Sequence, residues 1–174
     1  MKQLLRAKMV NLVCFIQESR KRKLQSKRPI ICDLVFRGYF AGIESLPSKE
    51  GIYVAFASKA SDSSSDFKLL YIGIGTGSDC IRKRVGDHIR NDHNSAKWLK
   101  HYNHDTEEIV YSYALMDDVS RIMEIENALI FKANPLVNEK STRKVHSEAV
   151  SITVNCKGDI GSLKSHYYWD HISG

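Results

Sequence analysis

Two tyrosines lie in short segments whose other residues alternate between aliphatic and very small side chains. The segment GIYVAFA contains Tyr53, and the segment LLYIGIG contains Tyr71. Because side chains alternate across a strand, each segment has an aliphatic face suited to a core and a second face where the tyrosine stands among glycine or alanine. If the two small faces coincide, a ligand has room beside two phenol hydroxyls. Each tyrosine alone is more typical of a half-buried strand residue.

A cationic pair follows the second tyrosine segment. Arg84 and His88 are four residues apart and share one face of a predicted helix, beside an apolar stripe that begins at Ile81. An arginine next to a packed face needs an anionic partner, which is most often a protein carboxylate and otherwise a substrate phosphate. Arg82 is predicted to point away from this face.

A carboxylate lies on the apolar stripe of the next predicted helix. Glu126 shares its face with Ile122, Leu129 and Ile130, and such a carboxylate must be paired, hydrogen-bonded or bound to a metal. A salt bridge to Arg84 is one solution. The other is a site, because one acid, one arginine and two tyrosines suit phosphodiester hydrolysis, which needs an activated water, a cation for the developing negative charge and help for the leaving oxygen.

These residues, taken with two tripeptides, resemble the GIY-YIG nuclease superfamily over residues 51–138. The matching positions, in chain order, are GIY at 51–53, YIG at 71–73, Arg84, His88, Glu126, and Asn138 after Pro135. The resemblance implies an α/β (α+β) domain with a small three-stranded antiparallel sheet flanked by helices. It also implies hydrolysis of DNA phosphodiester bonds with one divalent metal ion, Mg²⁺ (or Mn²⁺), per active site.

The resemblance assigns a role to each matching side chain. Tyr53 would be the general base or would orient the attacking water, and Tyr71 would position the water or the phosphate. Arg84 would stabilise the pentacovalent phosphate, and His88 would assist the phenol or bind phosphate. A phenol with a pKa of about 10 is a poor base at neutral pH, so a neighbouring cation would have to lower it.

Two further positions complete the set that the resemblance implies. Glu126 would be the sole protein ligand of the metal, and Asn138 would hold the site or contact the backbone. A single carboxylate is a sparse Mg²⁺ site, but Mg²⁺ keeps several waters and accepts substrate oxygens. We therefore expect weak metal binding in the absence of DNA.

The elements that must position these residues follow from local patterns. Alternation predicts strands over 51–58, 68–75 and 107–116. Helices are predicted after the capping residues at 78–79 and 117–118, the second ending before Pro135, with a weaker helix around 95–102. Residues 29–36 read as an extended segment, and 148–155 as a strand without an assigned place.

The charge of the chain is concentrated at one end. The 174 residues carry a net charge of +6, of which the first thirty, with nine basic residues and one acid, contribute +8 and the remainder −2. We therefore divide the chain into a basic helical extension (1–45), a catalytic domain (46–138) and a C-terminal extension of unassigned role (139–174). The residues expected to grip nucleic acid or DNA phosphates are Arg20, Lys21, Arg22, Lys23, Lys27 and Arg28. A solvated helix end is the alternative.

Composition bears on the cellular compartment and on whether the chain could bind zinc through cysteines. No apolar run is long enough to span a bilayer, and Arg6 and Lys8 interrupt the N-terminal apolar stretch, which reads as an amphipathic helix. The four cysteines are far apart, which disfavours a disulfide framework or a zinc site. We expect a cytoplasmic (intracellular) protein with no membrane partner.

Together the residues and the resemblance predict a metal-dependent DNA endonuclease. A compact restriction-type enzyme is preferred within that class, because the extensions on the motif region are short, and cutting both strands would favour a homodimer. The alternatives are a stand-alone repair or mobile-element nuclease, a catalytically silent nucleic-acid-binding module, and an interaction protein that keeps only the fold.

Overall fold

The computed structural model describes residues 28–59, 63–90, 107–138, 145, 147 and 149–170. In chain order these form β1 (Ile30–Phe40), β2 (Gly51–Ser58), β3 (Lys68–Gly75), α1 (Ile81–Arg90), β4 (Glu108–Leu115), α2 (Ile122–Ala133), β5 (Ser151–Gly158) and β6 (His166–Asp170). A short 3-10 turn, Ser64–Asp66, precedes β3. The predicted N-terminal helix and the helix around 95–102 lie outside the described residues.

The strands form one six-stranded mixed sheet with the order β3-β2-β4-β1-β5-β6. The pairing of β1 with β5 is parallel and the other pairings are antiparallel. The prediction of a small three-stranded sheet flanked by helices is therefore wrong. The three predicted strands are adjacent and antiparallel, but they make up only half of the sheet, and the described residues contain two α-helices.

The sheet was predicted too small because the additional strands pair with segments that are far away in sequence. β1 has buried residues such as Leu34 and Phe36 alternating with exposed Asp33 and Val35, as a strand with one solvent face should. Its partner β5 lies far along the chain: Asp33 pairs with Asn155, 122 residues away. Local patterns show that a segment is extended but not what it pairs with, so they predict no strand partner for residues 29–36.

The two faces of the sheet carry two separate apolar clusters. On one face, α2 packs against aliphatic residues of β2 and β3, such as Ile52 and Ile72, and against the inner side chains of β1, β5 and β6. On the opposite face, Ile81 and Val85 of α1 pack against the side of β2 and β3 that carries Tyr53. The sheet thus separates the two helices, and the face that carries Tyr53 packs against α1.

A bulge between β2 and β3 alters one predicted orientation. The pairing steps from Ala55 opposite Tyr71 to Phe56 opposite Leu69, so Leu70 is the extra residue. Leu70 consequently joins the cluster on the tyrosine face, whereas simple alternation assigns it to the aliphatic face.

The helix ends are satisfied mainly by the backbone. The first N–H groups of α1, those of Ile81 and Arg82, donate to carbonyl oxygens of the loop before β2, which supplies backbone acceptors for the start of this helix. α2 ends where Asn134 adopts the left-handed conformation and its N–H donates to the Ile130 carbonyl, immediately before Pro135. No helix in the described part of the chain is long and apolar enough to cross a membrane.

Candidate active site

The register of β2 and β3 brings the two small faces together. Tyr53 lies opposite Gly73, and Tyr71 lies opposite Ala55. The two phenol rings are 6.1 Å apart between centroids. A Cβ atom at Gly73 would lie 2.6 Å from both Cζ and the hydroxyl oxygen of Tyr53. The glycine of the YIG tripeptide is therefore what leaves room for the first phenol on this face.

A second glycine sets the distance between β3 and α1. A Cβ at Gly75 would lie 2.2 Å from the backbone nitrogen of Ile81, the first residue of α1. Without that side chain the helix approaches the strand closely, and its residues four positions apart, Arg84 and His88, face the tyrosines.

The centre of the site is a hydrogen bond between Tyr53 and His88. The Tyr53 hydroxyl and His88 Nε2 are 2.6 Å apart, and both side chains are buried. The ring of Tyr71 lies edge-on to the imidazole, with centroids 5.2 Å apart. Burial, reinforced by the Arg84 cation, lowers the pKa of His88 from 6.5 to about 4, so the imidazole is neutral at pH 7.

The phenols themselves are poorly acidic in this setting. Burial, reinforced by Tyr71, raises the pKa of Tyr53 well above its ordinary value, although Arg84 acts in the opposite direction. Burial and the carboxylate of Glu126 likewise raise the pKa of Tyr71. Since His88 is neutral, it supplies no cation to oppose this, and Tyr53 keeps its proton at neutral pH. The neutral pair allows one hydroxyl proton to be shared between Tyr53 and His88.

Arg84 and Glu126 bring opposite charges to the site without forming an ion pair. Both side chains are half-buried, and no ion pair within 4.0 Å joins them among the residues described. Burial raises the pKa of Glu126 from 4.5 to about 7, with Arg84 acting against it. The carboxylate has no hydrogen-bond donor in the described part of the chain, in contrast to Glu124, which accepts from Arg121 and Ser147.

Asn138 occupies a different position, at the edge of the sheet. Its side-chain amide accepts from the Ile72 N–H at 2.9 Å and donates to the Ile72 carbonyl at 2.8 Å. The adjoining N–H groups of Leu136 and Val137 donate to carbonyls of Leu69 and Leu70. Asn138 thus holds the chain after α2 against β3, the strand that carries Tyr71. Its amide contacts none of the other candidate residues.

The structure also shows contributions that the sequence reasoning missed. Tyr111 of β4 is buried on the same face as Tyr53, and burial raises its pKa. Arg82, predicted only to point away, donates to the backbone carbonyls of Leu46 and Glu44, which fixes the loop before β2 onto α1. The alternation of β4 was signal enough to find Tyr111, whereas no local pattern indicates the contact of Arg82.

Most of the basic residues predicted to contact nucleic acid lie outside the described part of the chain. Arg20, Lys21, Arg22, Lys23 and Lys27 lie outside the described residues, while Arg28 is exposed just before β1. Within the described ranges no group of three or more His, Cys, Asp or Glu side chains is placed to hold a metal ion.

Comparison with known proteins adds no identification. No family model, no curated protein and no solved structure matches this chain.

Proposed function

We propose that this chain is a metal-dependent DNA endonuclease whose active site is formed by Tyr53, Tyr71, Arg84, His88 and Glu126. The observation that carries the proposal is that a buried, neutral Tyr53–His88 hydrogen bond lies beside a cation and a carboxylate that do not neutralise each other. A structural core would normally pair such charges, whereas a site for a phosphodiester and a metal ion requires both of them free.

The Tyr53–His88 pair would handle the proton of the attacking water. Tyr53 is protonated at neutral pH, so it cannot accept a proton unless it gives up its own. His88, neutral and 2.6 Å away, is positioned to take the hydroxyl proton as Tyr53 receives one from water. In this scheme the imidazole is the base and the phenol relays the proton, which removes the need for a phenolate.

Arg84 and Tyr71 would act on the phosphate. A guanidinium matches the geometry of phosphate oxygens and keeps its charge at every relevant pH. Because no described carboxylate holds Arg84 in an ion pair, its fork is free to stabilise the charge that grows on the phosphate oxygens. The Tyr71 hydroxyl, on the same face, would donate to the phosphate or orient the water.

Glu126 fits the role of metal ligand by the chemistry of its surroundings. It is a partly buried carboxylate with no donor among the described residues, and burial raises its pKa to about 7 although the Arg84 cation acts in the opposite direction. Mg²⁺ is commonly held by one or two carboxylates together with waters and phosphate oxygens. When bound, Mg²⁺ or Mn²⁺ would withdraw negative charge from the phosphate and from the leaving oxygen.

The proposal is tested with plasmid DNA in Mg²⁺ or Mn²⁺. The unaltered protein should cleave, and Glu126→Gln and Arg84→Ala should lose about a hundredfold or more of the activity. Glu124→Gln, two positions along the same helix, is the matched control and should retain activity. A second readout is thermal stability at pH 8, which Mg²⁺ should raise in the unaltered protein and not in Glu126→Gln.

The outcomes separate the alternatives. Discrete fragments from a long DNA would support a restriction-type enzyme, and a smear would support a non-specific nuclease. DNA binding without cleavage in either metal would refute the enzyme and leave a silent binding module. Equal cleavage by Glu126→Gln and the unaltered protein would show that the site lies elsewhere.

A further inference from the structure

The sheet face that carries the candidate site extends beyond the site. Partners in the sheet project on the same side, and one row across the strands runs from Gly73 in β3 through Tyr53 in β2 and Tyr113 in β4 to Arg37 in β1. The bulge at Gly38, where φ is 68°, keeps Phe40 on this face as well. The site and the outer side of β1 therefore belong to one continuous surface.

Helix α1 covers this surface over β2 and β3, and no helix or strand of the described residues covers the part over β1, β5 and β6. The exposed fractions there are 74% for Ile31, 53% for Val35 and 50% for Tyr168. The reverse side of the same three strands is buried against α2. We call the outer side of β1, β5 and β6, together with Phe40 and Tyr113, the open face.

The part of the open face nearest the site has chemistry suited to nucleic acid. Phe40 and Tyr113 stack with centroids 5.9 Å apart and an interplanar angle of 22°, and both are half-buried. Arg37 and Lys157 project beside them, exposed, with no ion pair to any residue that the structure describes. Exposed cations beside the candidate site favour a partner with a phosphate backbone over an apolar one.

The dimensions of the open face fit a duplex. β1 contains eleven residues, which corresponds to about 33 Å at the rise of a strand. That length matches about ten base pairs at roughly 3.4 Å each. One end of β1 lies beside the candidate site, and the other begins two residues after Arg28, the last of the basic residues at 20–28.

We propose that duplex DNA engaged at the candidate site continues along the open face, with Arg37 and Lys157 contacting its phosphates. The inference rests on the proposed function for the position of the cleaved bond, but the contact itself is measurable without cleavage. Two acidic residues on the same face, Asp33 of β1 and Asp170 of β6, oppose this contact. Both lie further along the face than Arg37, and the Asp33 carboxylate accepts from Asn155 at 2.8 Å.

The test measures binding of a labelled 30-base-pair duplex in EDTA by fluorescence anisotropy at several salt concentrations. The double variant Arg37→Ala with Lys157→Ala should bind about tenfold or more weakly near 0.1 M salt and lower the salt slope by about 2, because each lost phosphate contact removes about 0.9. Lys132→Ala, on α2 behind the sheet, removes a charge from the opposite face and is the control.

Each outcome bears on one proposal. If the unaltered protein cleaves plasmid DNA but the double variant binds like the control, the open face is not the DNA surface and the nuclease proposal stands. If the double variant loses affinity while the unaltered protein does not cleave, the nuclease proposal fails and the DNA contact is supported. If Val35→Glu changes the oligomeric state and leaves DNA affinity intact, the face joins two copies of the chain and the inference is overturned.

Discussion

Replacing Glu126 with glutamine should stabilise the folded chain above pH 7, although the change removes a proposed active-site residue. The pKa of this carboxyl is raised by burial from 4.5 to about 7. A folded pKa above the unfolded one means that the stabilising contribution is complete below pH 4.5 and is lost as the pH rises through 7. Glutamine has the shape of the protonated acid and never carries the charge.

The magnitude follows from the two pKa values. A tenfold change in acidity corresponds to about 1.4 kcal/mol, so ionising Glu126 should destabilise the folded state by about 3 kcal/mol at pH 8 and by less than about 1 kcal/mol at pH 5. For a domain of this size, that difference corresponds to a melting temperature about 5–10 °C higher for Glu126→Gln at pH 8. His88, whose pKa of about 4 has the opposite pH dependence, is common to both proteins and cancels in the comparison.

The assay is urea unfolding followed by circular dichroism at pH 5, 6, 7 and 8, without divalent cations. Glu124→Gln is the control, because burial would raise the pKa of Glu124 but hydrogen bonds from Arg121 and Ser147 outweigh it and lower the pKa. That variant should be destabilised at neutral pH, the opposite sign. A difference between Glu126→Gln and the unaltered protein that does not grow between pH 5 and 8 would refute the reasoning.

Three further outcomes follow from the site. Cleavage at low Mg²⁺ should rise with pH about a midpoint near 7, set by Glu126, and a midpoint near 4 would instead identify His88 as the limiting group. Gly73→Ala should destabilise the protein by about 1–3 kcal/mol, because its Cβ would lie 2.6 Å from the Tyr53 hydroxyl, and unchanged urea unfolding would show that the phenol has room to move. Asn138→Ala should cost about 2–3 kcal/mol by leaving a buried N–H and C=O of β3 without partners, while undiminished stability would mean that water replaces the amide.

Short-range patterns were sufficient for most elements around the site. The alternation around Tyr53 and Tyr71 indicated both strands, and the observed register makes their small faces coincide, which is the condition for a ligand to have room beside the phenols. The four-residue spacing of Arg84 and His88 placed them on one helical face, and the structure sets His88 against Tyr53. These features depend on residues close together in sequence, where strand and helix periods are informative.

The predictions that were wrong concern strand pairings and local irregularities, which the periodicity of a strand or helix does not indicate. The bulge at Leu70 reversed one side chain, and the parallel partnership of β1 with β5 doubled the width of the sheet. β6 is only five residues long, with the sequence HYYWD, so its alternation was too brief to detect. The backbone contact of Asn138 with β3, and the absence of a salt bridge from Arg84 to Glu126, are tertiary facts of the same kind.

The central place of β1 has a consequence for the order in which the protein folds. Its contact with β4 closes a loop of 75 residues, as in the bond from Ser112 to the Arg37 carbonyl, and its contact with β5 closes one of 122. β2, β3 and β4 pair among themselves within residues 51–115, and shorter loops close first because they lose less chain entropy. During synthesis the strands that carry the tyrosines can therefore pair before β5, the second partner of β1, has been made. In refolding, the amides of β2 should be protected from hydrogen exchange earlier than those of β1.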